Sequence, residues 1–292
     1  TGQVTKLDLK RITTDLQRVC EAQVALFEPR RKTTPFKKYS FLTSAVGNGY
    51  GGLEHRNSTA LLCKRDDLPY LGMKDATSAY RTFLGLASHE YFHSWNVKRI
   101  CPAAFKPYDL ARENYTTLLW AFEGFTAYYD DLMLARCGLL TPAQYLETLS
   151  KTLTQVLQRT GRLKQSVAES SFDTWIKYYR ADENAPNSLV NYYQKGALVA
   201  LAIDLTLRAR SNGKCSLDDV MRELWRRYQV DGAHYAGVGE EEIFEAIETV
   251  SGFNLTSQIR NWTHGTQDPD FAALFKPFGI DCQALPALDA PV

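Results

Sequence analysis

Residues 86–96 read LASHEYFHSWN, and the fold turns on whether this stretch is a metal-binding helix or ordinary packing. On an α-helix, positions i and i+4 lie on one face about a turn apart. His89 and His93 can therefore aim imidazole nitrogens at a single ion. Glu90 is rotated by about 100° and reaches the ion's open position without binding it. Zinc hydrolysis needs that division of labour: two neutral imidazoles hold the cation, and a carboxylate beside them takes a proton from the attacking water. The chain has only five histidines, so composition rarely produces the pattern. Alone, the motif still leaves open two histidines buried on an aromatic helix face and capped by carbonyls.

A catalytic zinc requires a third protein ligand. Thirty residues after His93, the stretch LLWAFEGFTAYYDD (118–131) places Glu123 in a strongly apolar, aromatic helix. A carboxylate there is expensive to bury unless it is paired or bound to metal. By itself Glu123 reads as a satisfied buried acid or a residue at a surface edge. Beside a histidine pair short of one ligand, it becomes the candidate third donor. Asp130, two turns on along the same face, is a candidate acceptor for the outer N–H of a zinc histidine. An exposed acid is the alternative reading there.

The rest of the chain bounds the class. At 292 residues it is long enough for one large core or two lobes sharing a cleft. Apolar residues make up 45% and charged ones 23%, and the formal net charge is +1, so no basic face for nucleic acid or membrane is indicated. No apolar run reaches the roughly 18 residues of a membrane span; KGALVALAIDLTL (195–207), broken by Asp204, reads as a buried core helix. The start, TGQVTKLDLK, has neither an initiator Met nor a signal-peptide h-region, and is expected to be a processed end or the edge of a piece of something longer. The chain reads as soluble, with no compartment or oligomeric state legible in it. Six scattered cysteines without a C-x-x-C are expected to be thiols in or near the core. The four sequons at Asn57, Asn114, Asn254 and Asn261 are short chance patterns and carry no reading of glycosylation.

Periodicity predicts a helix over 6–28 stopping at Pro29, a strand over 36–46, a glycine-rich turn (GNGYGG) and a second strand over 53–63. Helices are predicted over 76–98, 116–137, 142–160, 188–210, 216–229, 239–250 and 254–263. Ser216-Leu-Asp-Asp and Thr141-Pro-Ala-Gln look like helix N-termini. The segment 97–115, with two prolines and no period, is a long connection of the kind that usually carries function. The expected class is α+β: a small mixed β-sheet lobe followed by a mainly α-helical lobe, with the histidine pair near the junction.

HEYFHSWNVKRI followed by LWAFEGFTAYY resembles the glycyl aminopeptidase family of zinc metallopeptidases, gluzincin relatives of aminopeptidase N and thermolysin. The likeness runs through the chain to LFKPFGI and is most specific over 50–58, 88–100 and 118–130. Cys101 departs from the family pattern, which has Arg there. The family's N-terminal β-rich domain and C-terminal PDZ domain have no counterpart in these residues, so the chain resembles an isolated catalytic core. The resemblance implies a thermolysin-like catalytic lobe over 1–137 and a helical lobe over 138–292 that completes the cleft.

It further implies one zinc ion held by His89, His93 and Glu123, with Glu90 as general base. YGGLEHRNS (50–58) resembles the edge strand whose acid binds the substrate's free α-amine, which makes Glu54 that acid. Glycines at 51 and 52 would permit close backbone approach, and an edge strand can pair with an extended peptide. NYYQKGALVALAID resembles the segment whose tyrosine contacts the oxyanion. Tyr193 is the matching residue, with Tyr192 as the tempting misassignment. The implied activity is removal of residue one, with a preference for N-terminal Gly or Ala, from peptides with a free N-terminus. Two rivals stand beside it: a thermolysin-like endopeptidase on the same zinc site, and a peptide-binding module with a vestigial metal site. An acid on the edge strand argues against the first, and an intact set of ligands and base against the second.

Overall fold

The structure is a computed structural model describing residues 6–229 and 236–286; residues 1–5, read above for a leader, lie outside them. Asp8 starts the first helix, α1 (Leu9–Phe27), by accepting the Arg11 N–H at 2.9 Å. A three-stranded mixed sheet follows, ordered β1-β3-β2. Strand β1 (Ser40–Val46) runs parallel to β3 (Ser58–Lys64), and β2 (Gly51–Glu54) pairs antiparallel with β3 at the open edge. Along β3, Thr59, Leu61 and Cys63 are buried while Ala60, Leu62 and Lys64 face outward, the period-2 pattern of a half-covered sheet. Leu61 and Cys63 pack with Phe83, Leu84 and Ala87 of α2 (Ser78–Phe92).

The sheet corrects one expectation. The segment read as a single strand over 53–63 is the end of β2, a turn through 55–57, and then β3. The turn sequence His55-Arg56-Asn57 holds neither glycine nor proline; its only mark is an unbroken polar run from Glu54 to Thr59. The strand expected from 36 begins at Ser40.

Three helices also differ from their expected spans. The helix predicted over 76–98 stops at Phe92, where Ser94 and Trp95 donate three residues back, to Tyr91 O and Phe92 O, each at 3.0 Å. The helix expected over 116–137 is two, α3 (Leu119–Phe122) and α4 (Gly124–Arg136), which meet at Glu123. Next come α5 (Pro142–Gln158), α6 (Val167–Phe172), α7 (Ala185–Ser188) and α8 (Tyr192–Arg210), the last starting four residues later than expected. The remainder is α9 (Leu217–Tyr228), α10 (Glu240–Ser251), α11 (Thr256–Thr263) and α12 (Phe271–Phe275). Both caps read from sequence form: Thr141 Oγ1 accepts the Gln144 N–H at 3.2 Å, and Asp219 accepts the Ser216 N–H at 2.9 Å.

Helix α8 is the axis of the helical part. It is apolar on every side and buried from Lys195 to Leu207, so neighbours cover it all round. Asp204, its interior acid, accepts from Tyr128 Oη, Leu217 N and Arg208 Nε at 2.7–2.8 Å, which satisfies the buried charge. Gly124 and Gly196 bring α4 and α8 into backbone contact: a Cβ on Gly124 would lie 2.5 Å from Gly196 Cα. One core cluster runs from Val24 and Phe27 through Phe92, Trp95 and Trp120 to Leu201 and Phe275. Each fully buried side chain of this kind contributes about 1.5–3 kcal/mol.

The long connection is tied down near its start. Val238 N donates to Cys101 O at 2.8 Å, and Ala103 N returns to Val238 O at 2.9 Å. Cys101 is buried, and burial pushes its thiol up to about 11. None of the six cysteines forms a disulfide, and three of them are buried. Among the described residues no helix is long and apolar enough to cross a membrane.

Candidate active site

His89 lies in the last turn of α2 and His93 caps it, so the helix presents both rings to the junction of α3 and α4. Their centroids are 4.7 Å apart and their planes nearly perpendicular, at 87°. Each ring is tied on its outer side: His89 Nδ1 is 3.3 Å from Asp130 Oδ2, and His93 Nδ1 is 2.8 Å from the Asn96 carbonyl. That leaves both Nε2 atoms facing Glu123 Oε2, at 3.3 Å from His89 and 3.2 Å from His93. Glu123 reaches them because the backbone breaks at that residue between two helices, rather than from within one continuous helix.

These donors suit zinc. A tetrahedral ion with bonds of about 2.0–2.1 Å sets neighbouring donors roughly 3.3–3.4 Å apart. The contacts from Glu123 to both imidazoles match that spacing, and the donor atoms of all three residues lie within 4.8 Å of one another. Electrostatics agrees. Burial alone would keep His89 neutral, but hydrogen bonds to Asp130 and Glu123 outweigh it and lift the imidazole well above its ordinary range. Burial would likewise raise Glu123, yet the two histidines pull it well below the usual carboxylate range. An ionised carboxylate between two imidazoles that it drives towards their protonated form is a set in which a dication can take the place of those protons.

Glu90 stands beside the triad, buried to 4% exposure under β2. Its carboxyl packs directly on Gly52, where a Cβ would fall 2.1 Å from Oε1, and Thr59 Oγ1 lies 3.5 Å from Oε2. Burial pushes this carboxyl up, against the pull of His93 and His89. Glu54, last residue of the edge strand, forms a second group with Glu90 and His93, their ligand atoms again within 4.8 Å. It is also bonded to Lys98, whose Nζ is 2.9 Å from Oε1. Burial would raise Glu54, but His93 and Lys98 hold it below its ordinary range.

The two tyrosines separate cleanly. Tyr192 is buried at 1% exposure, its hydroxyl 2.8 Å from Thr174 Oγ1. Tyr193 stacks on it, with ring centroids 4.6 Å apart, but is only partly buried, its ring centroid 6.1 Å from that of His89 and its hydroxyl 3.3 Å from Tyr179 Oη. Burial, reinforced by the Glu123 charge, pushes the Tyr193 phenol far up, which keeps it a hydrogen-bond donor. Thus His89, His93, Glu123, Glu90, Glu54, Asp130 and Tyr193 gather in one place.

Sequence reasoning missed three supports. Asn96 accepts His93 with its carbonyl and donates its amide to Phe122 O at 3.1 Å, joining the end of α2 to the Glu123 segment. Gln23 on α1 donates to Ser88 Oγ at 2.9 Å, and Ser88 donates to Asp130 O at 2.9 Å, bracing the residue before His89. Lys98 holds Glu54. The only local signal for any of them was polarity inside an aromatic stretch.

Residues 82–199 match the family model of the M61 glycyl aminopeptidases. The crystal structure of an aminopeptidase N family protein from Idiomarina loihiensis is 43% identical, with a TM-score of 0.91, over 96% of this chain and 46% of that one. An M1 zinc metallopeptidase mutant from Deinococcus radiodurans, bound to a Tyr-Ser-Ala substrate, is 13% identical at a TM-score of 0.55, over 92% of this chain and 47% of that one. The second likeness is one of fold alone. The chain spans about half the length of these two relatives. No curated protein matches it. The resemblance drawn from the sequence is borne out over the catalytic core, and the α+β fold is shared with both of these structures.

Proposed function

We propose, for a chain that carries an M61 glycyl aminopeptidase core, that it is a zinc-dependent aminopeptidase cleaving the first peptide bond of substrates with a free N-terminus. The observation that carries this reading is the position of Glu54: a carboxylate at the end of an edge strand, its ligand atom within 4.8 Å of those of Glu90 and His93. His89, His93 and Glu123 would hold the ion, with Asp130 and the Asn96 carbonyl fixing the two rings. When bound, zinc supplies a Lewis acid that polarises the scissile carbonyl and lowers the pKa of water.

The chain's own residues do the remainder. Glu54 pairs with the ammonium of residue one, and the strand edge at β2 offers main-chain partners to an extended peptide. Glu90 takes the proton from the attacking water and passes it to the leaving amine. Tyr193 donates a hydrogen bond to the carbonyl oxygen as it gains charge, a contact typically worth about 2.7–4 kcal/mol. The preference for N-terminal Gly or Ala follows from the family likeness.

The test compares free and N-acetylated Gly- and Ala-peptides on the zinc-loaded protein. Cleavage confined to free N-termini supports the reading. Equal cleavage of blocked peptides would transfer it to an endopeptidase, and no cleavage by zinc-loaded protein would remove it altogether.

A further inference from the structure

The acid proposed to receive the substrate's α-amine already has an ammonium beside it. Lys98 Nζ lies 2.9 Å from Glu54 Oε1, and both side chains are about four-fifths buried, at 21% and 20% exposure. Such a contact is held far more firmly than one between exposed side chains, since little solvent competes for either partner. Lys98 is also fixed at its base: its N–H donates to the carbonyl of His93 at 3.0 Å, so it springs from the same turn as a proposed zinc ligand.

Glu54 needs such a partner for two reasons. It ends a four-residue strand with one neighbour, so its carboxylate has few packing constraints of its own. It also faces like charge, because Glu90 shares its cluster and Glu123 closes the next one. Adjacent carboxylates repel and turn apart unless a cation lies between or behind them. A carboxylate has about four lone-pair positions on two oxygens, so it can accept Lys98 and still receive a substrate ammonium. Next along the chain, Arg99 donates to Arg56 O at 3.0 Å and to Ser94 O at 2.7 Å, which anchors the turn after Glu54 to the same segment.

We propose that Lys98 is a positioning residue for the amine subsite: it holds the Glu54 carboxylate oriented towards the ammonium of the peptide, and so sets affinity for a free N-terminus rather than the rate of the chemical step. This rests on the aminopeptidase reading above.

The experiment is a double-mutant cycle on the zinc-loaded protein with Gly- and Ala-aminoacyl substrates, reading KM, kcat and metal content. Lys98→Met is expected to raise KM about tenfold, the scale of one lost charge-assisted hydrogen bond, with kcat and zinc content little changed. Lys98→Arg is expected to recover most of that loss. In a Glu54→Gln background, Lys98→Met should add almost nothing, since its effect passes through the carboxylate. A KM that is unchanged or lower in Lys98→Met, or a full additive loss in the Glu54→Gln background, overturns the assignment of Lys98 while leaving Glu54 in place. An unchanged KM in Glu54→Gln overturns the amine subsite itself, and Lys98 with it. Loss of zinc in both Lys98 variants assigns the residue to the fold and likewise refutes the proposal.

Discussion

Gly52→Ala is the sharpest single perturbation the site offers. A methyl group there would lie 2.1 Å from Glu90 Oε1, 2.4 Å from Cδ and 2.6 Å from Cγ, whereas Cβ atoms essentially never approach another heavy atom within 3.0 Å. Clearing that overlap requires the Glu90 carboxyl to retreat by about 1 Å from a buried position beside Thr59 and His93. Misplacing a catalytic group by about 1 Å costs on the order of 10²-fold, close to 2.7 kcal/mol of barrier. The expected result is a fall of that size in kcat, with zinc content and melting temperature close to the parent's. Gly51→Ala is the internal control, since a Cβ at that position meets nothing within 4 Å. Its effect should stay within about 0.5 kcal/mol, the range of ordinary surface substitutions. Steady-state kinetics and metal analysis on both variants decide the matter. If Gly52→Ala keeps kcat within a factor of about three, Glu90 is not held as a base against this strand.

The same geometry yields four shorter expectations. Glu90→Ala should retain zinc and lose about 10²–10⁴-fold in turnover, whereas Glu123→Ala should lose the metal; full zinc content in the latter removes Glu123 from the ligand set. Tyr193→Phe should lower kcat by roughly 10²–10³-fold with KM nearly constant, while Tyr192→Phe, which breaks the bond to Thr174, should cost about 1 kcal/mol of stability and no catalysis; the reverse pattern would exchange their roles. Asn96→Ala keeps the backbone carbonyl that holds His93 but removes the amide bonds to Phe122 O and Thr126 Oγ1, so it should weaken zinc binding about tenfold by loosening the Glu123 segment, as a competition titration with a chelator would read. Glu223, bonded first by Arg226 and then by Arg227, has its carboxyl held down to about 2 from an ordinary 4.5. A depressed carboxyl stabilises the fold above its unfolded range and loses that contribution as pH falls, so the melting penalty of Glu223→Gln should be larger at neutral pH than at about pH 3; a constant penalty contradicts it.

What could be read without a structure was what helical periodicity carries. His89 and His93 stand four residues apart on one helix, and helical geometry alone places them on one face; Asp130 was read from its spacing of seven after Glu123. Glu123, an acid in apolar surroundings, became recognisable as a ligand only beside a histidine pair short of one donor. The break in the helix at that residue was invisible, because LWAFEGFTAYY has no proline and only one glycine to mark it. The β2–β3 turn was hidden for a related reason: residues 54–59 form a polar run with no glycine or proline in it, which marks a turn less sharply than either would. Asn96, Lys98 and Ser88 were illegible as site residues, since each acts on a partner 26 to 44 positions away. Such pairings depend on packing, and one chain's pattern does not encode them locally.

The contact between Gly124 and Gly196 makes the site a keyed joint. Glu123 precedes one of these glycines and Tyr193 lies one turn before the other, so the metal side and the oxyanion side share a single backbone crossing with no side chain to act as a shim. A methyl at either position would wedge α8 away from α4 by roughly a carbon's width, with the proposed zinc ligands left on their own side of the gap. Metal affinity and turnover would then part company: a protein still loaded with zinc, yet out of reach of its own tyrosine.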